Sequence, residues 1–307
     1  MAAPPLIAEV PVIDIGALEK KREALKKIDG ACRDWGFFQI KGHGIDQSLI
    51  DASLHAMRQF FALPQMEKRA ILRTRENPWG FYDQELTKNR RDWKEIFDFG
   101  QPNTEIFPNA APQWPLSLPM FKITMRAVFD ACEQVAYTLL AGISLNLGLT
   151  ADHLFSDFGA AHTSFLRLNY YPFCNEPGNH LGISHHTDAG ALTVLVHDQK
   201  PGLEVLHNDI WYSVIPEPGT LLVNIGDVVQ VWSNDEYLAP VHRVLATSDQ
   251  ERYSAPFFFN PAYATNYAPL RGKPLYRPIN WGDFRLRRSD ADYADNGNEV
   301  QIADYRT

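Results

Sequence analysis

The chain has 307 residues and a formal net charge of −8, and 45% of its residues are hydrophobic. This predicts a large buried core, in one large domain or in one domain with a substantial extension. An acidic chain without a basic run argues against a nucleic-acid partner, and no stretch approaches the roughly 20 apolar residues of a membrane span. Cys32, Cys132 and Cys174 are too few and too scattered for a disulfide framework. Without a basic-then-apolar leader, we expect a reduced, cytoplasmic protein.

The first half of the chain is predicted to be rich in helices. Apolar residues from Phe121 to Leu147 recur at steps of three and four and predict a long buried helix over 118–147. The remaining elements expected here are a helix at 17–34, a helix between Asp46 and Pro64, a helix or turn at 66–72, and strands at 10–15, 35–40 and 95–99. The Pro- and Asn-rich residues 100–119 are expected to form a long connection.

The second half changes to short strands separated by turn residues. Strands are predicted at 164–171, 187–197, 202–207, 211–215, 221–225, 228–231, 242–245 and 253–259. Eight short strands at this spacing favour a double-sheet jelly roll. The fold class is therefore mixed α+β, with an α-rich N-terminal region at 1–115, a long helix plus jelly roll at 116–265, and a C-terminal tail at 266–307. The tail carries a predicted helix at 281–288 and a polar, acidic end.

The segment His186-Thr187-Asp188 has the spacing of a metal site. Residues i and i+2 of an extended strand point to the same face, so one strand offers a nitrogen and an oxygen to one ion. The best third ligand is His242. Two histidines and one carboxylate that leave positions open for other ligands are typical of non-haem Fe(II) oxygenases. The structural alternative for this pair is a polar strand end.

Two other histidines, His185 and His207, are not expected to bind a metal. His207 precedes Asn208 and Asp209 between two apolar runs, which is a hairpin-turn signal. We expect His207 to end a strand rather than bind a metal. His185 should point to the face opposite His186, and it lacks a carboxylate two residues later.

Arg252 and Ser254 lie ten and twelve residues after His242 and should share one strand face. A guanidinium fork beside a hydroxyl can bind a carboxylate in one orientation. Because the tripeptide Arg-x-Ser is common in proteins, the structural alternative is that Arg252 forms a surface salt bridge. Asn169 and Tyr171 place two further polar groups on one face of the strand before the metal motif.

Taken together, these segments resemble the isopenicillin N synthase-like family of Fe(II)- and 2-oxoglutarate-dependent oxygenases. The matching segments occur in the order that is typical of the family and cover about residues 8–265. They are Val10-Pro11-Val12-Ile13-Asp14, Trp35-Gly36-Phe37-Phe38-Gln39-Ile40, Gly42-His43-Gly44-Ile45, Asp92-Trp93-Lys94-Glu95, Asn169-Tyr170-Tyr171-Pro172, His186-Thr187-Asp188, Pro201-Gly202-Leu203, Asn224-Ile225-Gly226-Asp227, His242-Arg243-Val244 and Arg252-Tyr253-Ser254.

The resemblance implies a distorted double-stranded β-helix and an Fe(II) ion bound by the two histidines and Asp188. It implies that 2-oxoglutarate chelates the iron and that its distal carboxylate meets Arg252 and Ser254, with Tyr171 and Asn169 nearby. O2 would take the remaining position, and decarboxylation to succinate and CO2 would produce the oxidant that removes hydrogen from a substrate C–H bond. No catalytic residue beyond the metal ligands is implied. The carboxylate at 188 favours hydroxylation or desaturation over halogenation.

The substrate is expected to be a small, partly apolar organic molecule. Phe258 shares the face of Arg252 by the period-two rule, so it should point into the same cavity, although core packing is an equal alternative. Pro256 suggests a strand edge or bulge that would disturb this facing. Tyr82, Phe97, Phe99 and the helix at 281–288 are expected to line or cover the mouth.

Three other functions remain open at this point. An oxidase of the same fold would use iron and O2 without 2-oxoglutarate. A non-catalytic ligand-binding protein would have no need for all three metal ligands. A zinc hydrolase lacks a glutamate beside the ligands to act as general base.

Overall fold

The computed structural model describes residues 6–16, 18, 21–87, 90–101, 110–290 and 300–307. Parts of the predicted helix at 17–34, of the long connection at 100–119 and of the acidic end lie outside the described residues. The α-helices are α1 Arg22–Asp34, α2 Gln47–Phe61, α3 Gln65–Arg69, α4 Pro119–Asn146, α5 Asp227–Ser233 and α6 Trp281–Asp290. The strands are β1 Val12–Asp14, β2 Phe37–Lys41, β3 Gly80–Tyr82, β4 Leu86–Thr87, β5 Arg90–Arg91, β6 Glu95–Gly100, β7 Phe165–Tyr171, β8 Leu181–His186, β9 Leu192–His197, β10 Leu203–His207, β11 Ile210–Ser213, β12 Leu221–Ile225, β13 His242–Leu245, β14 Arg252–Phe259, β15 Asn266–Tyr267 and β16 Ile279–Asn280.

Two sheets form the centre of the molecule. The larger has the order β1-β2-β12-β9-β14-β7-β6-β3, and the smaller has the order β11-β10-β13-β8. Pairing is antiparallel throughout both sheets except between β1 and β2. Apolar side chains from both sheets meet in one cluster that includes Phe37, Tyr171, Val205 and Val244. The sheets therefore face each other as a sandwich, and the predicted jelly roll in a mixed α+β fold is confirmed.

Helices α1 and α4 cover the outer face of the larger sheet, and α2 packs against α4. In α4, the buried positions include Phe121, Met125, Val128, Cys132 and Leu139, which are the predicted steps of three and four. This face packs against α1, α2, β9 and β14. The long amphipathic helix is thus the support on which the central strands of the larger sheet rest. No helix among the described residues is long and apolar enough to cross a membrane.

Two predicted strands were wrong. Residues 228–231 belong to helix α5, which ends at Asn234 in the left-handed conformation (φ 57°). Val228, Val229, Val231 and Trp232 are all buried, and a helix buried on every side has no polar face to show its period. The predicted strand at 187–197 begins only at residue 192.

The strand β8 was missed because Gly182, Ser184 and His185 interrupt its apolar pattern. Gly182 lies under the ring of Tyr171, and a Cβ at this position would come within 2.7 Å of the Tyr171 Cδ1 atom. Glycine is therefore required for this close approach between the two sheets.

The hairpin at His207 was correctly predicted. Strands β10 and β11 pair up to His207 and Ile210, and Asn208 and Asp209 have positive φ angles of 49° and 62°. Such angles at both central residues match the twist of the flanking strands.

Pro256, in contrast, marks neither an edge nor a bulge. The register of β14 with β9 is unbroken from Ser254 to Phe259, and β14 lies between β9 and β7. On the β7 side the register is the same before and after Pro256, and only the pairs at residues 255 and 256 are absent. The sheet tolerates one missing N–H donor without a shift.

Candidate metal centre and cavity

The predicted metal ligands meet at one point. His186 Nε2 and His242 Nε2 each lie 3.7 Å from Asp188 Oδ1, and one ligand atom from each residue lies within 4.8 Å of the others. His186 is the last residue of β8 and pairs with His242 of β13. Asp188, however, lies in the loop after β8, so the two ligands do not share one regular strand. The three side chains converge as expected, but the turn after β8, rather than a regular strand, brings Asp188 to the two histidines.

Backbone carbonyls orient both imidazoles. His186 Nδ1 donates to the Ser184 carbonyl at 2.8 Å, and His242 Nδ1 donates to the Pro240 carbonyl at 3.0 Å. Each Nε2 is therefore left as a lone-pair donor toward the same point. Burial and the neighbouring His242 lower the pKa of His186 to about 3, so its imidazole is neutral, as metal binding requires.

The carboxylate of Asp188 is held by two residues that the sequence did not identify for this role. Asn224 Nδ2 donates to Asp188 Oδ2 at 2.7 Å, and the Thr193 hydroxyl also donates to Oδ2. Burial raises the pKa of Asp188, but the hydrogen bonds from Asn224 and Thr193 stabilise the ionised carboxylate and help to lower that pKa below its usual value. Oδ1 is consequently the oxygen of the ionised carboxylate that faces the histidines. In the sequence analysis Asn224 entered only as part of the segment Asn224-Ile225-Gly226-Asp227, because no local pattern connects residue 224 with residue 188.

The loop that carries Asp188 is fixed against the start of α5. The Asp227 N–H donates to the Asp188 carbonyl at 2.8 Å, and the Val228 N–H donates to the Gly190 carbonyl at 3.1 Å. A Cβ on Gly226 would lie 2.2 Å from the Gly190 carbonyl oxygen, so only glycine permits this contact. The metal loop is therefore rigidly placed by a helix that the sequence analysis assigned as a strand.

A cavity extends from the three ligands between the two sheets. Arg252, Ser254, Pro256 and Phe258 all line it, which confirms that alternate residues of β14 share this face. Arg252 and Phe258 are six residues apart, so their Cα atoms are separated by about 20 Å along the strand. The cavity thus has a deep end at Arg252 and an outer end at Phe258.

The deep end of the cavity holds the guanidinium of Arg252. Arg252 is 2% exposed, its Nη1 donates to Ser254 Oγ at 3.4 Å, and its guanidinium lies 5.1 Å from the Tyr171 ring centroid. Asn169 Nδ2 donates to Ser254 Oγ at 3.5 Å. Arg252 Nε and Asn169 Oδ1 are buried without a hydrogen-bond partner. Within the described residues no carboxylate forms an ion pair with Arg252, and a buried unpaired charge costs several kcal/mol. This geometry fits the distal carboxylate of a bound dicarboxylate.

The outer end is lined by aromatic and basic side chains. Phe258 stacks on Phe165 with ring centroids 4.7 Å apart. Helix α6 contributes Trp281, Arg285 and Arg288 to the wall, at the i, i+4, i+7 spacing of one helix face. The expectation that the helix at 281–288 lines the mouth agrees with this placement.

Three aromatic residues expected at the mouth lie elsewhere. Phe99 is fully buried, and its ring centroid lies 4.8 Å from that of Trp114. Phe97 is fully buried and packs against Phe60, Phe121 and Trp114 beneath the helices. Tyr82 does not line the cavity, and the guanidinium of Arg73 lies 4.6 Å from its ring centroid. All three belong to strands β3 and β6 at the edge of the larger sheet, where the side-chain facing could not be assigned without the register.

A buried charge cluster forms the remaining wall, and the sequence analysis did not foresee it. Glu85, Lys94 and Arg167 line the cavity. Glu85 forms ion pairs with Lys94 at 2.7 Å and with Arg167 at 2.9 Å, and Arg167 also pairs with Asp98 at 2.8 Å. Burial raises the pKa of Glu85, but Arg167 and Lys94 outweigh burial and hold that pKa well below its usual range. Lys94 and Arg167 are therefore both neutralised by neighbouring carboxylates.

Comparison with known proteins gives consistent results. A family model described as the N-terminal region of the non-haem dioxygenase in morphine synthesis matches residues 10–117, and the 2OG-Fe(II) oxygenase superfamily model matches residues 162–261. Jasmonate-induced oxygenase 4 of Arabidopsis thaliana is 32% identical over 288 residues, which cover 90% of this chain and 81% of that protein.

Solved structures extend the similarity to the fold. The crystal structure of JOX2 in complex with 2OG, Fe and JA superposes with a TM-score of 0.85 and 29% identity, and the match covers 99% of this chain and 90% of that one. A full-length Neurospora crassa protein, crystallised in complex with alpha-KG and thymine, gives a TM-score of 0.83 at 25% identity, covering 94% of this chain and 100% of that one. Because the similarity spans most of both proteins and agrees with the geometry above, the chain belongs to the 2OG-Fe(II) oxygenase superfamily, as a 2-oxoglutarate-dependent dioxygenase that uses Fe(II) and O2.

Proposed function

We propose that His186, Asp188 and His242 bind the Fe(II) ion and that Arg252 and Ser254 bind the distal carboxylate of 2-oxoglutarate. The observation that carries this proposal is the pairing of three convergent ligand atoms with a buried guanidinium that has no carboxylate partner among the described residues. Three protein ligands leave three positions of an octahedral ion, which suits a bidentate cosubstrate and O2. When bound, iron supplies the site at which O2 and 2-oxoglutarate react.

Tyr171 and Asn169 complete the cosubstrate site. The Tyr171 ring lies against the guanidinium and limits its movement, while Asn169 fixes the Ser254 hydroxyl. With its distal carboxylate held at the deep end, 2-oxoglutarate is oriented with its 2-oxo acid group toward the ligands. The apolar neighbours Leu195 and Leu203 keep water from this end of the cavity.

The overall reaction hydroxylates or desaturates a small organic molecule. For hydroxylation, one oxygen atom of O2 enters the substrate C–H bond and the other enters succinate, with release of CO2. The substrate occupies the outer end, where Phe258 presents an aromatic face. We propose that the segment 266–307 covers this end through α6, whose Arg288 donates to the Thr187 carbonyl at 3.2 Å.

The experiment adds Fe(II) and then 2-oxoglutarate to the protein under anaerobic conditions and records the weak visible charge-transfer band. The band should appear in the wild type and in His185→Ala, and it should be lost in His186→Ala. His185 is a matched control because it is the adjacent histidine, is exposed, and is outside the ligand cluster. A band of equal strength in His186→Ala would refute the ligand assignment.

Measurement of succinate separates the leading reaction from the two nearest alternatives. Substrate oxidation without 2-oxoglutarate would indicate the oxidase of the same fold, and 2-oxoglutarate binding without any turnover would indicate a ligand-binding role. A screen of acids, phenolics and amino-acid derivatives for substrate-dependent succinate release identifies the substrate.

We also propose a cytoplasmic location and no nucleic-acid partner. All three cysteines are buried thiols, which suits a reducing compartment, and the net charge of −8 opposes binding to a polyanion.

A further inference from the structure

Among the described residues, five lysine and arginine side chains line the cavity, and four of them already have an anionic partner or an assigned role. Lys94 and Arg167 pair with Glu85, Arg288 lies 4.0 Å from Asp227, and Arg252 is assigned to 2-oxoglutarate. The fifth is Arg285. Within the described part of the chain, no carboxylate forms an ion pair with it.

Arg285 is fixed near the substrate end rather than extended into solvent. Its side chain is half-buried, and its guanidinium lies 5.6 Å from the Phe165 ring centroid. Phe165 in turn stacks on Phe258. Since Phe258 and Arg252 are separated by about 20 Å along β14, Arg285 is too far from the deep end to bind the same carboxylate as Arg252.

The helix keeps the guanidinium in this place. Trp281, one turn before Arg285 on the same face of α6, is fully buried and its Nε1 donates to Thr163 Oγ1 at 2.8 Å. Arg288, one turn after it, is tied to the Thr187 carbonyl and to Gln301 Oε1. Arg285 is therefore held between two anchored positions, and its preorganised fork is suited to a carboxylate.

We propose that the substrate is a carboxylic acid, with its carboxylate bound by Arg285 and its apolar body against Phe165 and Phe258. This inference rests on the proposed function and adds the chemical class of the substrate to it. A neutral substrate would leave the guanidinium without a partner in a site from which water is partly excluded. An acid substrate satisfies the guanidinium and directs its carbon skeleton toward the three metal ligands.

The test measures binding of matched probes to the anaerobic protein loaded with Fe(II) and 2-oxoglutarate. The probes are phenylacetate, 3-phenylpropanoate and cyclohexylacetate, each compared by calorimetric titration with its primary amide. The carboxylates should bind the wild type at least tenfold more tightly than the amides. Arg285→Gln should weaken carboxylate binding by about 10- to 100-fold and leave amide binding unchanged, as expected for loss of a charge-assisted contact. Arg285→Lys should keep the preference for the acid.

Arg287→Gln is the matched control because Arg287 is exposed on the same helix and does not line the cavity. It should bind every probe as the wild type does. The inference is overturned if no carboxylate binds more tightly than its amide, or if Arg285→Gln and Arg287→Gln behave alike. The 2-oxoglutarate charge-transfer band in Arg285→Gln reports a folded, loaded site, and its absence from the wild type would instead refute the proposed function.

Discussion

Replacement of Arg252 by methionine should have opposite effects on cosubstrate binding and on folding. The guanidinium is 2% exposed, and its one described hydrogen bond is the contact of 3.4 Å with Ser254. In the unloaded protein this buried charge lacks a partner carboxylate among the described residues. Methionine is unbranched and fills a similar space without the charge.

The magnitudes follow from the cost of buried ions. Loss of one partner of a buried ion pair costs about 3–5 kcal/mol. At about 1.4 kcal/mol per tenfold change, Arg252→Met should weaken 2-oxoglutarate binding by about 150- to 4,000-fold. The melting temperature of the unloaded variant should equal or exceed that of the wild type, because the desolvation cost of the unpaired charge is removed.

The assay is an anaerobic titration of the Fe(II)-loaded protein with 2-oxoglutarate, followed by its visible band, together with thermal unfolding of the unloaded protein. Arg58→Met is the control, because the Arg58 guanidinium lies 5.5 Å from the Tyr253 ring centroid, and Tyr253 points to the opposite face of β14. A loss of less than fivefold in Arg252→Met, or an equal loss in Arg58→Met, would refute the assignment.

Three further predictions concern neighbouring residues. Asn224→Ala removes one of the two hydrogen bonds to Asp188 Oδ2, so iron affinity in a chelator competition should fall by about 10- to 100-fold, and an unchanged affinity would contradict the orienting role. Burial and Arg252 lower the pKa of His197 to about 4, so between about pH 6.5 and pH 4 the unfolded chain binds a proton at His197 and the folded chain does not. As the pH falls through this range, the free energy of unfolding measured in urea should decrease by up to about 3 kcal/mol. His197→Gln should make this decrease smaller, and an equal decrease in the variant would exclude His197 as its cause. Phe97→Ala should destabilise the protein by about 3–5 kcal/mol, while Phe258→Ala should change substrate oxidation with a smaller loss of stability; the reverse order would contradict their placement.

The local sequence pattern was sufficient to predict elements in which the spacing of buried side chains is visible within one segment. The α4 helix has a polar side and an apolar side, and its buried positions follow the predicted steps. The shared face of Arg252, Ser254 and Phe258 follows from the period of two in a strand, and Pro256 did not disturb it. The convergence of His186, Asp188 and His242 on one point was likewise predicted from residue type and spacing.

The local sequence pattern was insufficient where the structure of a segment depends on the other segments that pack against it. The α5 helix is buried on all sides, so its valines gave no helical period and resembled a strand. Phe97 was expected in the cavity and lies in the core, because its facing depends on the register of β6 with β7.

The sequence by itself predicted a set of candidate ligands for iron and for a dicarboxylate, because imidazole, carboxylate and guanidinium groups have that binding chemistry wherever they lie. Only the tertiary structure decided that Asn224 and Thr193 would orient the carboxylate of Asp188 and that Arg285 would face the outer end of the cavity. These contacts join segments that are far apart in the chain or that are brought together by a turn. The periodicity of residues within a single segment does not show which other segment lies next to it.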